Sequence, residues 1–87
     1  MREDDVSELE VLVFGAVRDV VGGSTVRLEV ALPCTAGDVM RAIETRFEAM
    51  HAYSEVVRVA VNRAYVGLDH EVRGGDEVAI IPPVSGG

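Results

Sequence analysis

The residues with chemistry to offer stand at the end of the sequence. Gly86-Gly87 follow Pro82-Pro83-Val84-Ser85 and the apolar run Val78-Ala79-Ile80-Ile81. Two glycines have no side chains to work with, so what they present is a narrow peptide ending in a carboxylate. The terminal carboxyl of Gly87 is therefore the expected reactive group. Glycine makes up roughly 7% of residues, so two given positions are both Gly by chance well under about 1% of the time; the bland alternative is a frayed terminus. A carboxylate is a poor electrophile, because negative charge shields its carbonyl carbon and oxide is a poor leaving group. Activation by ATP to an acyl adenylate removes both obstacles, and a sulfur nucleophile can then displace the nucleotide to leave a thiocarboxylate. Such chemistry takes place inside another protein's active site, which dictates the shape of the tail. Pro82 and Pro83 fix φ and bias Ile81 toward extended backbone, so the neck is ordered before it inserts. The residues beyond Ile81, through Val84 and Ser85 to Gly87, reach at most about 20 Å. Gly86 and Gly87 supply narrowness and permissive backbone angles.

Elsewhere the chain is poor in reactive constellations. His51 and His70 are far apart in sequence and Cys34 has no CxxC neighbour, so no metal site is expected. Asp69-His70 reads as a solvent-facing turn rather than a polar dyad. Gly74-Gly75-Asp76 lacks the glycine spacing, the lysine and the following helix of a phosphate loop, and reads as a turn. Cys34, just before a helix, has two readings: a thiol with its pKa lowered by the helix N-terminus, or a small buried side chain.

Eighty-seven residues make one domain. A domain this small buries roughly 60–65% of the surface its unfolded chain exposes, so its stability margin is thin. With 48% hydrophobic residues and no Trp, the core must come mainly from Val, Leu, Ile, Ala and Met. A single cysteine forms no internal disulfide. Residues 1–8 are acidic and lack an apolar signal region, and no apolar run approaches membrane-spanning length. A cytoplasmic protein with no membrane partner is expected. Eight basic residues scattered among fifteen acidic ones do not build a nucleic-acid surface. The net charge of −7 favours encounter with a basic partner surface, or does no more than keep a small domain soluble.

The elements that must hold the tail follow from periodicity. Residues 1–7 show none and are expected to be a disordered acidic leader, leaving a folded domain at 8–81 and a tail at 82–87. From Glu8 to Phe14 the chain alternates, with Leu9, Val11 and Val13 in one phase and Leu12 and Phe14 in the other. Both phases are apolar, so this strand is expected to be internal or to meet a partner. Val17, Val20 and Val21 fit a short helical turn closed by Gly22-Gly23. Ser24 to Leu32 alternates cleanly, and Pro33 ends it. Thr35 to Asp38 forms a helix start with an acid at N3, and Val39, Met40, Ile43, Phe47 and Met50 make one stripe of a helix predicted over 36–50. Val57, Val59 and Val61 form a strand, Asn62-Arg63 a two-residue turn, Ala64-Tyr65-Val66 a return strand, and Glu77 to Ile81 the last strand. One helix covers one face of such a sheet. The expected fold is α+β: a β-grasp, ubiquitin-like arrangement with a mixed sheet of four or five strands around a single main helix. Phe14, Tyr65 and Ile81, out of phase with the core set, should lie on the open face as a protein interface.

The segments Phe14 to Gly22, Val61-Asn62, Gly75-Asp76-Glu77-Val78-Ala79 and Pro82 to Gly87 together resemble the small subunit of molybdopterin synthase, a ubiquitin-like sulfur-carrier family. The resemblance spans nearly the whole chain from Leu9. It implies a β-grasp fold and a sulfur-carrier role. Gly87 would be adenylated by an activating enzyme using ATP and magnesium, then thiocarboxylated by a sulfur donor protein. The tail would enter the large synthase subunit and give its sulfur to cyclic pyranopterin monophosphate, building the dithiolene of molybdopterin. Catalytic side chains would belong to the large subunit, in a heterotetramer, and the carrier itself would hold no cofactor. The resemblance also places Phe14, Tyr65 and Ile81 on the partner face, and Arg18 in the family's pattern, either binding a partner or buttressing the short helical turn. Departures are the acidic leader before Glu8 and Gly15, where alanine is frequent.

Three alternatives stand beside this reading: a carrier for thiazole formation or tRNA thiolation, a ubiquitin-like modifier joined to lysines through Gly87, and a plain interaction module. Pro82-Pro83 and the Phe14 to Gly22 segment favour the molybdopterin type over the other carriers.

Overall fold

The computed structural model describes residues 6–82. The strands are β1 (Val6–Val13), β2 (Thr25–Ala31), β3 (Cys34–Thr35), β4 (Arg58–Val61), β5 (Ala64–Val66), β6 (Glu71–Val72) and β7 (Val78–Ile81). Five of them form one mixed sheet in the order β2-β1-β7-β4-β5. β1 is internal, antiparallel to β2 and parallel to β7, with Val11 opposite both Val26 and Val78. β7 in turn pairs antiparallel with β4. Helix α2 (Ala36–Arg46) packs on one face of this sheet and the short helix α1 (Val17–Val21) follows β1. The result is the expected β-grasp arrangement.

Alternation decides which residues enter the core. Leu9, Val11 and Val13 of β1, Val26, Leu28 and Val30 of β2, and Val78 and Ile80 of β7 are buried under α2, which contributes Val39, Met40 and Ile43. Each fully buried side chain of this kind adds about 1.5–3 kcal/mol, so a small domain depends on nearly all of them. α2 starts with a reciprocal cap: the Asp38 N–H donates to Thr35 Oγ1 (3.1 Å) and the Thr35 N–H donates to Asp38 Oδ2 (3.0 Å). These bonds hold the Asp38 carboxyl below the usual carboxylate range. Further amides at this end are satisfied by the 68–70 loop, where Ala36 N donates to the His70 carbonyl and Gly37 N to that of Leu68. Asp69-His70 is thus an exposed turn whose neighbouring carbonyls finish a helix.

Three expectations change. The helix stops at Arg46, not at residue 50. Phe47 turns extended (φ −126°, ψ 98°) and a 3₁₀ segment, Glu48–Tyr53, follows. Phe47, Met50 and Tyr53 recur every third residue, and three per turn is the 3₁₀ repeat; Met50 is buried and the other two pack against the core. Secondly, strand β1 starts at Val6, so Val6 and Ser7 do not belong to the leader. They pair with Ala31 and Val30 because β2 is long enough to continue the ladder. The rest of the expected leader, residues 1–5, lies outside the described residues, as do tail residues 83–87. Thirdly, a two-stranded sheet of β3 (Cys34–Thr35) and β6 (Glu71–Val72) ties the chain before β7 to the start of α2.

Candidate functional site

The face of the sheet turned away from α2 carries the other phase of the same strands. The strand register places Thr25, Leu12, Ala79, Ala60 and Tyr65 side by side across all five strands. Two alanines in the middle of that row make its floor shallow. The resulting groove, about 420 Å³, is lined by Phe14, Ile81 and Tyr65 around that floor. Phe14 is 38% exposed and Tyr65 62%. The structure therefore brings Phe14, Tyr65 and Ile81 together around one groove, as their phase required.

An arginine sits over each of these aromatic rings. The Arg18 guanidinium sits 5.3 Å from the Phe14 ring centroid, and Arg58 sits 5.3 Å from that of Tyr65. Such contacts are worth roughly 0.5–1 kcal/mol when exposed, and they let the arginine stems extend the apolar surface. Arg18 Nε also donates to the Val13 carbonyl (3.0 Å). Its own carbonyl accepts from Gly22 and Gly23, which close α1, with Gly22 left-handed at φ 82°. This geometry fastens α1 to the end of β1 and sets Arg18 over the Phe14 ring, on the rim of the groove.

The face is graded along its strands. Arg58 stands opposite Ile81, next to where β7 ends. Glu8 and Glu10, in phase with Leu12, and Glu77, in phase with Ala79, put carboxylates toward the opposite end, partly matched by Arg27 and Arg63. Cation and apolar surface thus gather where the chain leaves the sheet.

Pro82, the last described residue, is seated on Gly15. A Cβ at Gly15 would come within 2.7 Å of the Pro82 ring, and Gly15 has φ +60°, a left-handed value that glycine adopts without strain. The root of the tail is thereby held beside Phe14. The opposite end of the sheet is locked by the β4–β5 turn, where Asn62 (φ 53°) and Arg63 (φ 71°) form the two-residue connection that matches strand twist. Asn62 Nδ2 donates to Asp76 Oδ1 (3.0 Å) and Glu77 N donates to Asn62 Oδ1 (3.0 Å), pinning that turn to the start of β7. Asp76 also accepts from Arg73 N (2.8 Å), and these bonds lower its pKa. Gly74-Gly75-Asp76 is therefore a turn, with Gly75 at φ 89°.

Sequence reasoning passed over Gly15 as a site residue, and missed Ala60, Ala79 and Arg58. The alanines did carry a signal, each standing alone between two larger core residues, Val59 and Val61 or Val78 and Ile80. Cys34 lies away from this face at the start of α2. It is half-buried, and burial together with the nearby Asp38 carboxylate pushes its thiol up, the reverse of the activated reading.

A five-stranded mixed sheet on a single main helix, with an apolar face that the described residues leave open up to the C-terminal strand, defines a ubiquitin-like β-grasp domain. The ThiS family model matches residues 11–87, and the chain belongs to that family. It is 37% identical to the molybdopterin synthase sulfur carrier subunit of Escherichia coli, over 91% of this chain and 99% of that one. It is 33% identical to small archaeal modifier protein 3 of Haloferax volcanii, over 92% and 99%. Among solved structures, SAMP1 from Haloferax volcanii superposes with a TM-score of 0.78 at 31% identity, covering 93% of this chain and all of the other.

Proposed function

We propose that this chain is a cytoplasmic sulfur carrier for molybdopterin synthesis, with the Gly87 carboxyl as its working group. A partner activating enzyme adenylates Gly87 with ATP and magnesium, a sulfur donor protein converts the adenylate to a thiocarboxylate, and the loaded tail enters the large subunit of molybdopterin synthase. There the sulfur passes to cyclic pyranopterin monophosphate.

The observation that carries this reading is the continuity between groove and tail. Phe14, Ile81 and Pro82 are neighbours, so a partner seated on the groove meets the tail at its root. Docking energy and tail delivery are then one event. A rigid root matters because each flexible residue costs about 1–2 kcal/mol to order, and Pro82 on Gly15 has met part of that cost already. The kinship with proteins named as sulfur carrier subunits supports the same reading.

The test is intact mass after incubation with an activating enzyme, ATP and a sulfur source. One oxygen exchanged for one sulfur at the C-terminus is the expected product. Conjugates on lysines of other proteins would instead favour the modifier reading, to which the kinship with a protein named as a modifier lends weight.

A further inference from the structure

Apart from His51 and His70, every basic residue of this chain is an arginine; there is no lysine among its 87 residues. Each arginine in the described residues is exposed. These are the positions at which a lysine would be open to an activated carboxyl. A guanidinium stays protonated to above about pH 12 and its lone pairs are delocalised. A lysine amine, with a pKa near 10.4, has at least about a hundredfold more free base at any working pH.

Two further nucleophiles, the Cys34 thiol and the Thr35 hydroxyl, are held within the fold. Cys34 is half-buried against the start of α2, and its raised pKa keeps it a thiol, whereas the thiolate is the reactive form. The Thr35 hydroxyl accepts the Asp38 amide in the helix cap. Unassisted hydroxyls are weak nucleophiles without an adjacent base.

We propose that the side chains of the folded body accept no acyl group from another copy of this carrier, so that the activated tail builds no branched chains on residues 6–82. The proposal rests on the activated-tail reading. Transfer to an amine would form a C–N bond at the Gly87 carbonyl carbon and break the C–O bond to AMP, or the C–S bond of a thioester. The leaving group departs with the electron pair, and the surplus proton on nitrogen goes to solvent. The body supplies no side-chain amine for the first of these bonds. A carrier that must persist in activated form gains by this, since copies can meet without consuming one another.

The experiment loads the tail chemically, so it does not depend on any partner enzyme. The full chain is prepared as a C-terminal thioester by intein cleavage and held concentrated at mildly alkaline pH. Intact mass and peptide mapping then locate every branch. Arg73→Lys, at an exposed turn position away from the groove, is treated identically. The wild-type chain should give hydrolysis, with no branch at any side chain of residues 6–82. The variant should give branched species at residue 73, at least about tenfold above the wild-type background. Branches on a wild-type side chain overturn the proposal. So does an Arg73→Lys chain that stays as unbranched as wild type, because inertness would then owe nothing to the missing amine. Failure of the activating enzyme to act on Gly87 is a separate result, and it counts against the function proposed above.

Discussion

The two faces of one sheet are made by the same strands and do different work. Toward α2, Val11, Val13, Val78 and Ile80 are all fully buried. One residue along each strand, Leu12, Phe14, Ala79 and Ile81 line a groove that no other element among the described residues covers. The covered phase is large and branched; the other phase sets two small alanines between exposed aromatics that each carry an arginine over the ring. An apolar residue is thus assigned to stability or to recognition by its parity along the strand. A slip of one residue in register would exchange the two sets.

The comparison can be broken from either side. The largest effect should come from the covered face. Ile43→Ala removes a fully buried side chain and should cost about 2–5 kcal/mol, most of the stability of so small a domain. A thermal melt reads it. Phe14→Arg tests the uncovered face. On the function proposed above it should weaken binding to the large synthase subunit by about 2 kcal/mol, while the melting temperature moves far less than for Ile43→Ala. Calorimetry and a melt together check this, and equal losses in both would remove the distinction between faces. Arg58→Ala, which frees the Tyr65 ring, should cost binding about 0.5–1 kcal/mol and leave the fold intact.

A smaller effect concerns acid. Asp38 and Asp76 both have folded-state pKa values held below the ordinary one by hydrogen bonds to their carboxylates. A depressed carboxylate contributes stability that is complete above its unfolded pKa, about 3.9, and is lost as pH falls through the folded value. Asp38→Asn and Asp76→Asn should therefore flatten the acid limb of a stability-against-pH curve. A steep acid limb surviving in both variants would mean that other carboxylates govern it.

Much of this was legible before any coordinates. The phases of β1, β2 and β7, the cap at Thr35, and the Asn62-Arg63 turn follow from local periodicity and turn chemistry, which act within a few residues. Three things were not legible for a shared reason. The β3–β6 pair has two-residue strands, too short to show a period. The seat of Pro82 on Gly15 joins residues far apart in sequence. The floor of the groove depends on register, because Ala60 and Ala79 become neighbours only once β4 and β7 align. The 3₁₀ segment is a different case. Its threefold repeat at Phe47, Met50 and Tyr53 was present in the sequence, but Met50 also fits an α-helical stripe begun at Val39 and Ile43.

The central claim is that the folded body is a handle for the carboxyl of Gly87. Its most direct test compares the full chain with a chain lacking Gly87, in a reconstituted molybdopterin synthase assay beside a thermal melt. The account predicts loss of sulfur transfer with an unchanged melt. Undiminished transfer from the shortened chain would contradict it.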